Sequence, residues 1–222
     1  MYIYQVERDL LRQGVAKHAH VLKGKVLDVG CGRLMRYRDL LSGATEYVRL
    51  DVDPESHPDV VASAEEIPLQ DASVDGILCN QVLGDVVHPE RAIADCFRVL
   101  KPGGHMILTE ALMNESHDEP HDFWRFTRFG LNELFCSVGF EVVVIERLGG
   151  FFSVIVQFWS RWFIQTFALY KHAWVGRACS VLFFVCGKTA LWLDKRLEHS
   201  STGQKFTLDH IIVAKKPHVH ER

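Results

Sequence analysis

Short apolar runs alternate with amphipathic stretches from Lys25 onward, and this alternation constrains the fold of the chain more than any other feature. KVLDVG, YVRLDVD, GILCNQVL and GGHMILTEAL read as strands, and RLMRYRDLLSG and PERAIADCFRVL read as helices between them. LNELFCSVGFEVVVIERL adds one more helix and one more strand. Strands that alternate with helices at this spacing predict an α/β fold, in which helices cover both faces of a mostly parallel sheet.

The two ends of the chain complete this predicted architecture. The stretch before Lys25 predicts a covering helix, and FTLDHIIVAKKP alternates weakly, which is typical of a last strand at the edge of a sheet. We therefore expect a core at 1–150, a helical hydrophobic insertion at 151–203, and a last strand and tail at 204–222 that complete the core.

Composition excludes several classes of protein. A chain of 222 residues with 48% hydrophobic and 24% charged residues suits one globular domain with a full core. Its six cysteines form no CxxC pair, and MYIYQVERDLLRQ lacks the apolar core of a signal peptide. The net charge of −3 gives no general attraction to nucleic acid. These features predict a cytoplasmic protein with no nucleic-acid partner.

The loop after the first predicted strand reads VLDVGCGR. Gly30 and Gly32 allow the backbone to turn sharply and to approach a ligand closely, at the sheet edge where open parallel sheets bind ligands. Asp51 closes the second strand, where a carboxylate accepts hydrogen bonds from both ribose hydroxyls, and Asp53 is the alternative on the same face. A dinucleotide site would need a third glycine where the chain has Met35. The pattern favours a ligand with a ribose but no pyrophosphate.

These motifs carry a family resemblance. VLDVGCG, LDVDP, AEEIPLQDASVDGILCNQVL, HPERAIADCFRVLKPGG and HDEPHDFWRFTRFGLNELFCSVGFEV together resemble class I S-adenosylmethionine-dependent methyltransferases of the type 11 group. The match runs from about residue 25 to residue 150. It implies a Rossmann-like, seven-stranded, mostly parallel sheet and S-adenosylmethionine as the cofactor.

The resemblance also implies which residues surround the methionine part, the ribose, the adenine and the sulfonium of the cofactor. In that order they are Asp28, Gly30, Cys31 and Gly32; Asp51 and Val52; Ala64 and Glu65; Asn80 and Gln81. Two positions depart from the pattern of the family. Ser63 stands where an acid often precedes the alanine, and Leu83-Gly84-Asp85 stands where many members have Leu-Glu-His.

Candidate catalytic residues follow the fifth predicted strand, in ESHDEPHDFWRFT. In one interpretation His117 or His121 is a general base, since histidine titrates near neutral pH, and Arg125 orients an acidic acceptor. In the other, Asp122 caps the following helix and pairs with Arg125. A metal site at the two histidines is disfavoured, because Pro120 interrupts the helix that their four-residue spacing would need.

The insertion has an unusual composition. Phe151 to His199 holds four of the five tryptophans and carries six basic and two acidic residues, a net charge of +4 that leaves −7 elsewhere. Within it a narrow polar stripe recurs every fourth residue beside a wide apolar face; its members are Ser153, Gln157, Arg161 and Gln165. The longest charge-free run, 148–160, is too short to span a bilayer. The segment 151–199 therefore predicts a helix in the membrane interface, or a lid or dimer face.

Together these features predict a methyltransferase that acts on a small-molecule or lipid-linked, amphipathic acceptor. It would be cytoplasmic and peripheral at the inner face of a membrane, with its oligomeric state left open. Two alternatives are a methyltransferase-like binding module without catalysis and an NAD-dependent reductase. Binding of S-adenosylmethionine rather than NAD would exclude the reductase. Turnover with any acceptor would exclude the non-catalytic binding module.

Overall fold

The computed structural model describes residues 2–34 and 36–218. Met35, which stands where a dinucleotide site would need a third glycine, lies outside the described residues. The strands are β1 Gly24–Val29, β2 Ala44–Asp51, β3 Val60–Val61, β4 Val74–Asn80, β5 Leu100–Ala111, β6 Glu141–Leu148 and β7 Asp209–Lys215. The helices are α1 Val6–His18, α2 Pro89–Val99, α3 Arg128–Val138, α4 Phe151–Thr166 and α5 Ala173–Leu197. The predicted α/β fold class is confirmed.

The strands form one seven-stranded sheet in the order β3-β2-β1-β4-β5-β7-β6. β1 pairs in parallel with both β2 and β4, so the chain leaves β1 on one side and later returns to its other side. β2 with β3 and β4 with β5 are parallel as well. Strand order therefore reverses at β1, and the carboxyl ends of β1 and β4 border the crevice that such a reversal opens.

β7 lies inside the sheet, between β5 and β6, which corrects the predicted edge position. Six of its seven residues are buried. Gly103 at the start of β5 donates its N–H to the carbonyl of Lys216 beyond the end of β7, at 2.7 Å, so these two strands run in opposite directions. A buried strand reads as a nearly continuous apolar run, and HIIVA is such a run.

The predicted helix after β1 is also wrong. The chain there forms turns and one short 3-10 turn at Arg38–Leu40 before β2 begins. Tyr37 and Leu41 are buried while Leu34 is exposed, so only one turn of apolar side chains faces the protein. No Ser, Thr, Asp or Asn, the residues whose side chains cap the start of a helix, stands between Gly32 and Arg38.

Two compact units make up the chain. One contains Gly14–Ala111, Ser116–Glu146 and His210–Arg222 and holds the core that surrounds the sheet. The other contains Met1–Gln13, Leu112–Glu115 and Arg147–Asp209, and we call it the helical unit. The predicted boundaries had placed the first residues with the sheet. In the structure Ile3, Tyr4 and Val6 instead pack in one apolar cluster with residues of α4 and α5, which explains the difference.

A matched pair of valines tests the position of β7. Val213 in β7 is 2% exposed and Val143 in β6 is 53% exposed. We expect Val213→Ala to lower the free energy of unfolding by about 1.5–3 kcal/mol, because it removes buried methyl groups and leaves a cavity. Val143→Ala should cost less than about 1 kcal/mol. Urea unfolding of both variants measures the difference. Equally small losses in the free energy of unfolding would indicate that β7 is an edge strand.

Candidate functional site

A cavity of about 800 Å³ opens where β1, β2 and β4 end, within the unit that holds the sheet. Most residues of the predicted cofactor set line it: Gly30, Gly32, Asp51, Val52, Ala64, Glu65 and Gln81. Several residues that the sequence did not single out for this site line it too, among them Ser56, Val86, Asp118 and Phe123. The topology thus brings segments that are far apart in sequence to one crevice.

The loop after β1 has the backbone shape that the two glycines predict. Gly30 and Gly32 have φ angles of 69° and 57°, in the left-handed region that favours glycine. A Cβ on Gly30 would lie 2.2 Å from Cγ2 of Val82, whereas a Cβ on Gly32 would meet no atom within 4 Å. Gly30 is therefore required for packing, and Gly32 leaves open space beside the loop.

Asp51 holds this loop in place. Its Oδ2 accepts the N–H of Gly32 at 2.8 Å and its Oδ1 accepts the N–H of Asp53 at 2.9 Å. Oδ2 also accepts from the Cys31 thiol at 3.9 Å, whereas Oδ1 keeps a further lone pair for a ligand. Asp53 is more exposed, and its carboxylate accepts from the N–H of Glu55 at 2.9 Å and from Arg33 at 3.3 Å. The geometry therefore favours Asp51 over Asp53 as the acceptor for ribose hydroxyls.

Three predicted cofactor residues, Asp28, Cys31 and Asn80, lie outside the cavity lining among the described residues. Asp28 is buried and accepts a hydrogen bond from the Tyr47 hydroxyl, and burial raises the pKa of its carboxyl to about 6. Oδ1 of Asn80 accepts from the Thr109 hydroxyl at 2.7 Å. Through these contacts Asp28 and Asn80 support the ends of β1 and β4.

Glu65 connects the predicted adenine loop to α2. Its Oε1 accepts the N–H of His88 at 2.9 Å, immediately before the helix begins. The N–H of Glu65 in turn donates to Oγ of Ser63 at 3.1 Å, and Ala64 between them is buried. Ser63 therefore shapes the loop through a local hydrogen bond, at the position where the family resemblance led us to expect an acid.

The four candidate catalytic residues separate into two groups. His121 lines the cavity, whereas His117, Asp122 and Arg125 lie together beside Asp85, which also lines it. Asp85, His117 and Asp122 each bring one ligand atom within 4.8 Å of the others. Arg125 already donates to both oxygens of Asp122, at 2.5 and 2.9 Å, so we assign no metal to this cluster.

Asp122 does not cap the following helix, which corrects one interpretation of the sequence. The N-cap of α3 is Thr127, whose Oγ1 accepts the N–H of Gly130 at 3.1 Å. The expected pairing of Asp122 with Arg125 is confirmed, and this guanidinium lowers the pKa of the Asp122 carboxyl to about 2. Asp122 also accepts the N–H of His117 at 3.1 Å. The Asp122–Arg125 pair thus holds the segment that carries both histidines.

Sequence reasoning missed Glu110 altogether. This side chain is buried at the end of β5, and it accepts the N–H groups of Val82, Leu83 and Gly84 at 2.8, 2.6 and 3.2 Å. Burial raises the pKa of Glu110 to about 7, although the three N–H donors oppose that rise. A lone acid inside the apolar run MILTEA was the one available signal.

Asp85 had appeared only as a departure from the family pattern. It is half-buried at the cavity wall, and burial raises the pKa of its carboxyl to about 6. The charges of Asp118 and Asp122 raise it further, whereas His117 and Arg125 oppose them. Asp85 is therefore a carboxyl that can change its protonation state close to neutral pH while facing the cavity.

Comparison with known families and proteins agrees with this geometry. Residues 27–108 match the family model described as "Methyltransferase domain". The chain is 32% identical over 116 residues to the ubiquinone/menaquinone biosynthesis C-methyltransferase UbiE of Brucella anthropi, covering 50% of this chain and 39% of that protein. It is 31% identical over 85 residues to the mitochondrial 2-methoxy-6-polyprenyl-1,4-benzoquinol methylase of Caenorhabditis elegans, covering 38% and 26%. The chain thus spans less than half the length of either relative.

Solved structures share the fold. The [4+2]-cyclase SpnF superposes with a TM-score of 0.63 at 22% identity, covering 95% of this chain and 82% of that one. The 1,6-didemethyltoxoflavin-N1-methyltransferase of Burkholderia thailandensis, solved with S-adenosylhomocysteine, gives 0.58 at 16%, covering 95% and 80%. At these identities the likeness shows the fold alone. Since a cyclase is among these structures, fold does not by itself establish methyl transfer.

The residues present fit S-adenosylmethionine. The space beside Gly32, which an added Cβ would enter without meeting an atom, lies next to the one carboxylate that holds the loop. The cavity lining includes that carboxylate and the apolar side chains of Val52, Ala64 and Val86. A ribose needs the first kind of surface and an adenine ring the second. Asp51 would hold the ribose and Ala64 would contact the adenine.

Two neighbouring aspartates test this assignment. We expect Asp51→Ala to weaken binding of S-adenosylhomocysteine about ten- to a hundredfold, because a charge-assisted hydrogen bond contributes roughly 1.5–3 kcal/mol. Asp53→Ala should change the affinity much less, since its carboxylate is bound to Arg33 and Glu55. Titration calorimetry measures both, with thermal unfolding to verify that each variant is folded. A larger loss in Asp53→Ala would transfer the ribose role to Asp53.

Proposed function

Residues 27–108 belong to a class I S-adenosylmethionine-dependent methyltransferase domain of the type 11 group, and on this premise we propose that the protein methylates an amphipathic or lipid-linked acceptor. The observation that carries the proposal is the cavity at the strand reversal, where the left-handed glycine loop and Asp51 meet. A cavity lined by both polar and apolar side chains suits a nucleoside together with an amphipathic acceptor.

When bound, S-adenosylmethionine supplies a methyl carbon attached to a positively charged sulfur. The work left to the protein is to position the acceptor and to exclude water. Asp51 and Ala64 hold the nucleoside, and His121 and Phe123 line the same cavity. Asp85 lines it as well and can accept a proton from an acceptor hydroxyl or amine. The Asp122–Arg125 pair positions His117 beside Asp85.

Two observations support an amphipathic acceptor. The two relatives described above are named for ubiquinone/menaquinone biosynthesis and for a polyprenyl benzoquinol, and a polyprenyl benzoquinol has a polar ring on an apolar tail. Segment 151–199 combines a charge of +4 with four tryptophans, a composition suited to an anionic membrane surface. Acceptors of this kind partition into membranes, so a peripheral enzyme at the inner face would meet them there.

Cofactor binding and turnover test the proposal in sequence. We expect calorimetry to detect S-adenosylhomocysteine and to detect no NAD, and S-adenosylhomocysteine to accumulate when S-adenosylmethionine is incubated with a prenylated benzoquinol. A benzoquinol without a prenyl tail is the matched control, and it should be methylated more slowly. Preference for NAD would favour the reductase alternative. Binding without turnover on either quinol, or on lipid extracts, would favour the non-catalytic binding module.

The pH dependence of turnover identifies the base. A base acts only when deprotonated, so if Asp85 is the base, kcat should fall as the pH drops through about 6, the raised pKa of its carboxyl. Asp85→Asn should lower kcat and remove this acid limb, with little change in S-adenosylhomocysteine affinity. The comparison variant is His117→Ala. If that variant loses the acid limb instead and Asp85→Asn retains it, the base is the histidine.

A further inference from the structure

The first two members of the polar stripe of α4, Ser153 and Gln157, are buried, whereas Arg161 is half-buried and Gln165 is exposed. A large part of the apolar face of the helix is turned outward. Ser153, Gln157 and Ser160 are buried with Ile164 along one side of the helix. The opposite side is exposed and apolar, and consists of Ile155, Phe158, Trp159 and Trp162. An amphipathic helix on a water-soluble surface has the reverse arrangement.

Specific hydrogen bonds within the helical unit hold Ser153 and Gln157 on the inner side of α4. Gln157 donates to the buried carboxylate of Glu7 at 2.7 Å, and Asn114 donates to the same carboxylate at 3.1 Å. Near the start of α4, the Asp194 carboxylate accepts the N–H groups of Phe152 and Ser153 at 2.9 Å each. Because buried polar groups need partners, these bonds fix which face of α4 points outward.

α5 extends the outward apolar surface. Gly176, Phe183, Gly187 and Ala190 are buried along one side, and a Cβ on Gly187 would lie 2.6 Å from the Tyr4 ring. The other side exposes apolar residues over almost its full length: Trp174, Val175, Val181, Leu182, Phe184, Val185, Trp192 and Leu197. We call the exposed apolar residues of α4 and α5 the aromatic face.

α5 is long and apolar enough to cross a membrane by length and composition, with only 22% of its most apolar window buried. The charge-free run 148–160 is too short to span a bilayer, whereas α5 is long enough when its few charged residues are included. The helical unit nevertheless carries the buried Glu7 carboxylate and, on exposed Lys188 of α5, an ion pair with Asp9 at 2.5 Å. A spanning orientation would place both in hydrocarbon, at a high cost in free energy. A helical unit with an exposed apolar surface and polar groups elsewhere suits a position in the plane of the membrane interface.

Positive charge borders the aromatic face at both ends of α5. Arg177 lies near its start and Lys195 and Arg196 near its end, about 27 Å away at 1.5 Å per residue. Lys171 precedes the helix, and none of these four side chains forms an ion pair within residues 2–34 and 36–218. The guanidinium of Arg196 lies over the Trp192 ring at 4.4 Å, and that of Arg177 lies 5.6 Å from the Trp174 ring.

We propose that the aromatic face docks in the plane of an anionic lipid bilayer, with its tryptophans below the headgroups and its basic ends among the phosphates. The inference rests on the membrane contact in the proposed function, and it is independent of methyl transfer. Burial of aromatic side chains supplies the apolar contribution to binding, and the unpaired cations supply the electrostatic one.

Vesicle flotation of the full chain tests this surface. We expect the protein to float with vesicles of phosphatidylcholine and phosphatidylglycerol, and to float much less with phosphatidylcholine alone or at about 0.5 M salt. Lipids brominated on their acyl chains should quench the tryptophan fluorescence of the bound protein. The double variant Trp162→Ser and Leu182→Ser should lower the partition coefficient at least about tenfold, because both side chains are exposed apolar groups that would be buried.

A second double variant provides the control. Phe129→Ser with Val143→Ser removes equally exposed apolar groups from the other unit and should leave flotation unchanged. Lys195→Gln with Arg196→Gln should weaken flotation without changing the apolar surface. Equal losses in both serine variants would overturn the proposal, as would a salt-independent dimer that the Trp162→Ser and Leu182→Ser variant disrupts. Titration with S-adenosylhomocysteine runs in parallel, so a failure of cofactor binding remains distinguishable from a failure of docking.

Discussion

The carboxylate of Asp51 is the contact on which the candidate site depends. It accepts two backbone N–H groups, from Gly32 and Asp53, and so ties the loop after β1 to the end of β2. A loop with two left-handed glycines would otherwise have many conformations. Fixing it at the reversal of strand order keeps the space beside Gly32 open for a ligand. The same carboxylate thus serves the fold and the proposed cofactor.

A buried carboxylate with several N–H or amide donors recurs elsewhere in the chain. Glu110 accepts three backbone N–H groups beneath the cavity wall, and Glu7 accepts from Gln157 and Asn114 in the helical unit. Taking such groups out of water costs free energy unless they are partnered. In the unit that contains the sheet, the contacts of Glu110 shape the cavity wall beside Asp85. In the helical unit the Glu7 carboxylate holds Gln157 of α4 inward, and exposed apolar side chains of the helix form an outer surface.

Much of the core could be predicted from the sequence, because buried parallel strands read as apolar runs and Gly30, Gly32 and Asp51 stand where those runs end. The interior position of β7 could not, since a local pattern does not specify which strands are neighbours. Periodicity found the polar stripe of α4 but not the side that faces the protein, which depends on Glu7 about 150 residues earlier in the chain. Glu110 was missed because a single acid in an apolar run does not indicate its partners. The roles of His117 and His121 stay predictions.

The central claim is that S-adenosylmethionine binds at the loop that Asp51 holds. A crystal structure of the full chain with S-adenosylhomocysteine tests this claim most directly. We expect the ribose hydroxyls within hydrogen-bond distance of the Asp51 carboxylate, the amino acid part beside Gly32, and the adenine against Ala64. Electron density for the ligand at another place, or a ribose held by Asp53 with Asp51 bound only to backbone, would contradict it.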